Sequence, residues 1–436
     1  MKGHSFSKIA LGLALALNTA AALAAYTPDN MNEIHTDGSD AHFDITESVV
    51  SYDTWWNDYA HRPGFQDALS ELGLTLEQLN RDPNTFAARS GQVNDPLFWL
   101  KRTLSIYPAD KQRYAIPVTE NGGGAARQAT WERDNYFLTR TYARAGETVL
   151  IEVGQIPDKV TCYAANKTTE TMKARPGTLD VVKLPAQGLF HYPVKHEGVI
   201  ALGCIDSTET LNSIDKRVTM RIIAGGVEHP LFILGQQPRS QWASISQQTT
   251  PSGNILMFDG RSNYYINNAK ARESTNTDML HAMNQALVRS TVYDTLNGMN
   301  GSSSLHQPNR GTFTATYNAC CAAGNWDGML SIGFKNAIPT NASWGHWHEY
   351  GHLHQNRVLW WKDGLREVVV NIYSLAACYS QLGNVDPKKC HGNLSANNMA
   401  WDQQAVGHFL QSGQTHNFDA ETNVFKQLGM FMQLIN

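Results

Sequence analysis

Hydrophobic and polar positions change their period along the chain. Residues 26–100 carry short runs at helical spacing broken by turn residues. Gln66 to Leu72 stops at Gly73, and Thr75-Leu-Glu-Gln78 has the reciprocal capping spacing of a second short helix that ends before Asp82-Pro83. Over 101–240 the runs shorten and become rich in β-branched residues. They are "TVLIEVG" (148–154), "KVTCYAA" (159–165), "GVIALGCI" (198–205), "VTMRIIAGG" (218–226) and "PLFILG" (230–235), with Gly, Pro and Asp between them. Several short strands separated by turn signals predict a β-sandwich-like domain. After 240 the helical period returns. "NTDMLHAMNQALVRSTVYDTLNGM" offers Asn276, Thr277 and Asp278 as caps and Gly298 as a stop, and "DGLREVVVNIYSLAACYSQLG" offers Asp363 and Gly383 in the same roles. The strand-like "FTATYNACC" and "MLSIGF" (329–334) lie between them, so 241–436 reads as mostly helical and the chain as α+β.

The amino terminus changes the compartment in which this pattern is placed. Lys2 and Lys8, the apolar run Ile9 to Leu17 and the small-x-small Ala22-Leu23-Ala24 predict a signal peptide over 1–25. No later apolar run approaches the ~20 residues of a membrane span. The expectation is a soluble exported protein, secreted or periplasmic. With 35 Lys plus Arg against 39 Asp plus Glu, the net charge of −4 gives no reason to expect a nucleic-acid partner. Export also allows disulfides. Cys162 with Cys204 and Cys378 with Cys390 are the expected pairs, while the adjacent Cys320 and Cys321 either bridge each other or reach elsewhere. No Cys-x-x-Cys spacing favours thiolate zinc. The triple glycine at 122–124 lacks the Gly-Lys-Ser/Thr ending of a phosphate loop and reads as a turn.

The densest chemistry is in "SWGHWHEYGHLHQN" (343–356), which contains His348-Glu349-Tyr350-Gly351-His352. Helix positions four apart return to within about 40° of each other, so His348 and His352 face one point. Two imidazoles at that spacing suit zinc, and Glu349 flanks them as a base for the attacking water. A catalytic site needs a third protein ligand. Glu367 supplies it from the next predicted helix, with Asn371 one turn further on the same face. "HEGVI" at 196–200 is half of the same pattern and ends at Ile200 among strand residues, so it is set aside.

His348-Glu-Tyr-Gly-His352, Gln355 and Glu367-Val-Val-Val-Asn371 together resemble the enhancin-like zinc peptidases, viral enhancins and bacterial mucin-degrading metallopeptidases. The likeness extends to "GQQPRSQW" (235–242) and "VFKQLGMFMQLIN", and covers about 140–436. The entry region is similar to the amino-terminal part of secreted immunomodulating metalloproteases of that group. The resemblance implies a gluzincin-type catalytic domain after the β-sandwich-like one. It implies Zn2+ on His348, His352 and Glu367, Glu349 as catalytic base, and an O-glycosylated, mucin-like protein as substrate. Members of the group continue well beyond the zinc site, whereas this chain ends at Asn436, so the catalytic domain is either truncated at its C-terminal end or the product of a short gene.

The remaining polar and aromatic residues are weighed against plain packing. Gln355 is either a hydrogen-bond partner of an imidazole or a solvated amide, and Asn371 is a partner for Glu367 or substrate. His346 and His354 lie about 200° round the helix from a ligand and are assigned to packing or surface. Trp344, Trp347, Trp360, Trp361 and the pair Trp55-Trp56 are assigned to packing. Tyr373, His391 and His408 remain unranked donors for a tetrahedral intermediate. Two rival functions stay open: a zinc aminopeptidase, and a carbohydrate-binding or adhesin module with a structural zinc site.

Overall fold

The structure, a computed structural model, describes residues 62–107, 113–120, 135–167, 178–206, 217–302, 306–308, 310–315, 322–325, 329–332, 344–356, 363–383, 387–394 and 421–433. The expected signal peptide, Trp55-Trp56, the triple glycine, Cys320-Cys321, Trp360-Trp361 and His408 lie outside these residues.

Among the described residues four helices come first: α1 (Pro63–Glu71), α2 (Leu76–Arg81), α3 (Pro83–Ser90) and α4 (Pro96–Ile106). Their starts follow from local chemistry. Proline occupies the first turn of α1, α3 and α4, Asp82 and Asp95 cap α3 and α4, and Thr75 with Gln78 closes the expected capping box of α2. Helix α4 runs across the boundary that the sequence pattern placed at 100. Its Leu97, Trp99 and Leu100 are buried in the same core as the later helices.

Nine strands then form one hydrogen-bonded sheet: β1 (Arg113–Glu120), β2 (Phe137–Ala143), β3 (Thr148–Val153), β4 (Val160–Lys167), β5 (Thr178–Lys183), β6 (Gly188–Pro193), β7 (Gly198–Asp206), β8 (Arg217–Ala224) and β9 (Val227–Glu228). The order is β5-β4-β7-β1-β8-β3-β6, with β2 on β7 and β9 on β2. The expected β-sandwich implies two separate sheets, whereas here β1 joins them. Its first half pairs antiparallel with β8 as far as Pro117, and from Val118 it pairs parallel with β7. Cys162 stands directly opposite Cys204 on β4 and β7, and the two form a disulfide.

A second sheet follows, of β10 (Leu231–Ile233), β11 (Asn254–Phe258), β12 (Asn263–Asn267), β13 (Thr312–Ala315), β14 (Ala322–Asn325) and β15 (Met329–Ile332), in the order β10-β11-β12-β13-β15-β14. Around it lie α5 (Trp242–Ile245), α6 (Asn268–Glu273), α7 (Met279–Leu296), α8 (Trp344–His354), α9 (Arg366–Leu382) and α10 (Val424–Gln433). The described residues of 241–436 are therefore mixed α/β rather than the mostly helical domain expected. The cause is burial on both faces of the sheet. Phe232, Ile255, Met257 and Tyr264 enter the helical core with Trp99, Leu287 and Val369, while Leu231, Ile233, Leu256, Phe258 and Tyr265 enter the core of the first sheet. Strands covered on both sides lose the alternation that reveals a half-buried strand. No described helix is long and apolar enough to cross a membrane.

The two sheets meet at His229, which is fully buried between β9 and β10. Its Nδ1 lies 2.9 Å from the Pro230 carbonyl and its Nε2 lies 2.6 Å from Ser252 Oγ. The carbonyl can only accept, so Nδ1 carries the proton and Nε2 receives the serine hydroxyl. Burial pushes the imidazole pKa down to about 4, so between that value and 6.5 the folded chain holds fewer protons here than the unfolded chain. Stability from this group is then full above 6.5 and lost as pH falls toward 4, by on the order of 3 kcal/mol. His229→Gln is expected to flatten that segment of a chemical-denaturation pH profile; an unchanged slope would assign the acid sensitivity elsewhere.

Candidate active site

Two helices build the site, and glycine sets their distance. A Cβ added at Gly351 on α8 would stand 2.9 Å from both Tyr373 Cβ and Val370 Cγ2 on α9, and 3.3 Å from the Val370 carbonyl. Only a residue without a side chain lets the two backbones approach this closely. Behind α8, Tyr293 of α7 donates to the Trp347 carbonyl at 2.9 Å, and Asn297 donates through Nδ2 to the His354 carbonyl at 2.5 Å. Helix α7 is itself held by the fully buried pair of Arg261, in the β11–β12 turn, with Asp294. Asp259 in that turn accepts from the backbone N–H groups of Arg261 and Ser262 and from the Tyr264 hydroxyl.

On this support, ligand atoms of His348, His352 and Glu367 come within 4.8 Å of one another. Glu367 Oε2 lies 3.1 Å from His348 Nε2 and 3.2 Å from His352 Nε2. Helix α9 was expected to start on an Asp363 cap. Instead, Asp363–Leu365 forms a 3-10 turn and α9 begins at Arg366, with Leu365 as an N-cap that makes no side-chain hydrogen bond. Glu367 thus sits in the first turn of α9, against the imidazoles of α8.

The partners of the two imidazoles fix their tautomers. Asn371 donates through Nδ2 to the Glu367 carbonyl at 2.9 Å and turns Oδ1 toward His348 Nδ1, also at 2.9 Å. Gln355, fully buried, donates through Nε2 to the Arg366 carbonyl at 2.5 Å and turns Oε1 toward His352 Nδ1 at 3.0 Å. Both carbonyls can only accept, so each amide oxygen faces an imidazole N–H. Each Nδ1 therefore carries a proton, and each Nε2 is the atom that faces the Glu367 carboxylate, donating to it as an imidazolium or offering its lone pair to an ion. Two imidazole nitrogens and one carboxylate oxygen converging in this way are a donor set that fits a zinc ion once the Nε2 protons are released.

Electrostatics agree with that geometry. Hydrogen bonds from His348 and His352 hold the Glu367 carboxyl well below the usual carboxylate range, against partial desolvation. At His348, burial disfavours the imidazolium, but hydrogen bonds to Glu367 and Asn371 and the charges of Glu349 and Glu367 outweigh it and raise its pKa. Glu349 is half-buried beside His348.

The other residues singled out in the sequence separate clearly. His346 and His354 are buried on the far side of α8, and the His354 ring packs edge-on against Tyr293. Trp347 is buried. Trp344 is one helical turn before His348 and packs at tilted angles against His391 and Phe425, whose rings stack on each other. The Tyr373 hydroxyl is buried and donates to Asn297 Oδ1 at 2.6 Å, which removes it as a donor to substrate. His391 follows Cys390, which is bonded to Cys378 of α9 as expected. His196 of the rejected "HEGVI" pairs with Asp180, and Ile200 lies within β7. Gly351, Asn297 and the Arg261–Asp294 pair carry no chemical motif and were missed. The one available signal was a glycine inside an otherwise helical run.

Residues 225–436 match the family described as Peptidase M60, enhancin and enhancin-like. Among solved structures, the fold is similar to a functionally unknown conserved protein from Bacillus anthracis str. Ames (mutant form), with TM-score 0.58 and 20% identity, over 74% of this chain and 64% of that one. It is also similar to the ZmpB metallopeptidase from Clostridium perfringens, with TM-score 0.53 and 15% identity, over 73% and 66%. A metallopeptidase in complex with Tn antigen matches with TM-score 0.50 and 15% identity, over 76% and 66%. The chain thus spans just under two thirds of these structures. No curated protein matches it.

Gly351→Ala places a methyl group inside van der Waals distance of α9. The helix-propensity gain of ~1 kcal/mol is set against overpacking of about 1–3 kcal/mol. The expected outcome is a lower melting temperature together with weaker zinc retention, read by denaturation and by metal analysis after dialysis. Unchanged zinc retention would separate the helix contact from the site.

Proposed function

We propose that the protein is a secreted zinc endopeptidase that cleaves O-glycosylated, mucin-like proteins. The observation that carries the proposal is the convergence of His348, His352 and Glu367 with Glu349 beside them on α8. In this reading His348 Nε2, His352 Nε2 and a Glu367 oxygen hold the ion, and Asn371 and Gln355 orient the imidazoles. When bound, zinc acidifies the attacking water and polarises the scissile carbonyl. Glu349 would take a proton from the attacking water and pass it to the leaving amine.

The family match supports peptide hydrolysis, and the disulfides Cys162–Cys204 and Cys378–Cys390 are consistent with an oxidising, extracellular compartment. The glycoprotein substrate is supported by the similar metallopeptidase in complex with Tn antigen. A base beside the donor set favours hydrolysis over a purely structural metal, which has no use for Glu349.

The test is incubation with an O-glycosylated mucin domain and with its deglycosylated twin. Cleavage of the glycosylated form alone, abolished by chelator, is the expected result; equal cleavage of both forms would remove the glycan from the proposal. Glu349→Gln should retain about one zinc per chain and lose activity by roughly 100- to 10,000-fold. Retained turnover would move the base to another residue.

A further inference from the structure

We infer that Gln355 is the positioning residue that joins the two ligand-bearing helices into one metal site, an inference that rests on the zinc reading above. Its single amide reaches both elements at once: Oε1 is 3.0 Å from His352 Nδ1, and Nε2 donates to the carbonyl of Arg366 at 2.5 Å. That carbonyl belongs to the peptide plane leading into Glu367. Fixing the plane fixes the point from which the Glu367 side chain leaves the backbone, while the other end of the amide fixes the ring of His352.

Three observations separate this role from ordinary packing. Gln355 is fully buried, so an amide unpaired at either end would lose hydrogen bonding that water could not replace. The N-terminus of α9 has no side-chain cap on its N–H groups, and the hydrogen bond from Gln355 ties its first turn from the carbonyl side instead. The tether also spans the connection between the helices, since Gln355 immediately follows α8 and Arg366 opens α9. Asn371 differs, because its amide N–H bonds the Glu367 carbonyl one turn away within α9 itself. In metal-binding proteins, losing such an outer partner costs about 10- to 100-fold in affinity.

Two substitutions discriminate the bridge from a simple imidazole acceptor. Gln355→Met keeps the volume and removes both hydrogen bonds. Gln355→Glu keeps an acceptor for His352 Nδ1–H but sets a carboxylate oxygen against the Arg366 carbonyl. Zinc affinity is measured on the full chain by competition with a chelating dye at pH 8, alongside hydrogen exchange of residues 366–370 in the metal-free protein. A bridge predicts about a tenfold or greater loss of affinity in both variants and faster exchange in the first turn of α9, with Asn371→Ala leaving exchange at 366 unchanged. Wild-type or tighter zinc binding by Gln355→Glu, or unchanged exchange in the variants, would overturn it. If the methionine variant does not fold, the glutamate variant decides alone. A wild-type chain that binds no zinc would overturn the zinc reading, while the exchange arm would still report on the tether.

Discussion

The close approach of α8 and α9 at Gly351 is the contact on which the candidate site depends. His348 and His352 are aligned by the pitch of one helix, but Glu367 belongs to another, and it reaches both Nε2 atoms only because no side chain stands between the two backbones. The same approach lets Asn371 and Gln355 meet the imidazoles from behind. Tautomer, ring orientation and the position of the carboxylate are thus consequences of one helix contact, further restrained by buried amides that are each bonded at both ends.

That contact is in turn braced from the second sheet. The β11–β12 turn carries Arg261 into a buried pair with Asp294 of α7, and α7 and the residue just after it hold two carbonyls of α8 through Tyr293 and Asn297. A buried ion pair adds little net stability over an apolar pair, but breaking it leaves an uncompensated charge, which strongly penalises any other arrangement of turn and helix. The first sheet packs on the opposite face of β10–β12, so the site-bearing helices and the nine-stranded sheet share one middle layer.

How much of this was legible in the sequence depended on whether the signal was local. The capping box at Thr75, the Asp278 cap of α7 and the glycine stops at 298 and 383 were readable because short-range chemistry determines them. So was the pairing of His348 with His352 by helical pitch, and of Cys162 with Cys204 from two strand-like runs. The change of partners in β1 at Pro117 was not readable, because it depends on where β7 and β8 lie. Strands β11 and β12 were hidden by burial on both faces. The start of α9 was misplaced at Asp363 because an acidic residue before a helical run looks like a cap, whereas the chain makes a 3-10 turn there first. Tyr373 looked like a candidate donor until its hydroxyl was seen to be spent on Asn297.

The central claim is that two neutral imidazoles and one carboxylate, drawn together by the α8–α9 contact, form a zinc site. X-ray absorption at the zinc K edge of the purified protein tests it most directly. The account predicts about two nitrogen ligands at ~2.0–2.1 Å and oxygen at ~2.0–2.2 Å, with no sulfur, and loss of one nitrogen in His352→Ala. A sulfur shell at ~2.3 Å, or a folded protein that takes up no zinc, would contradict it.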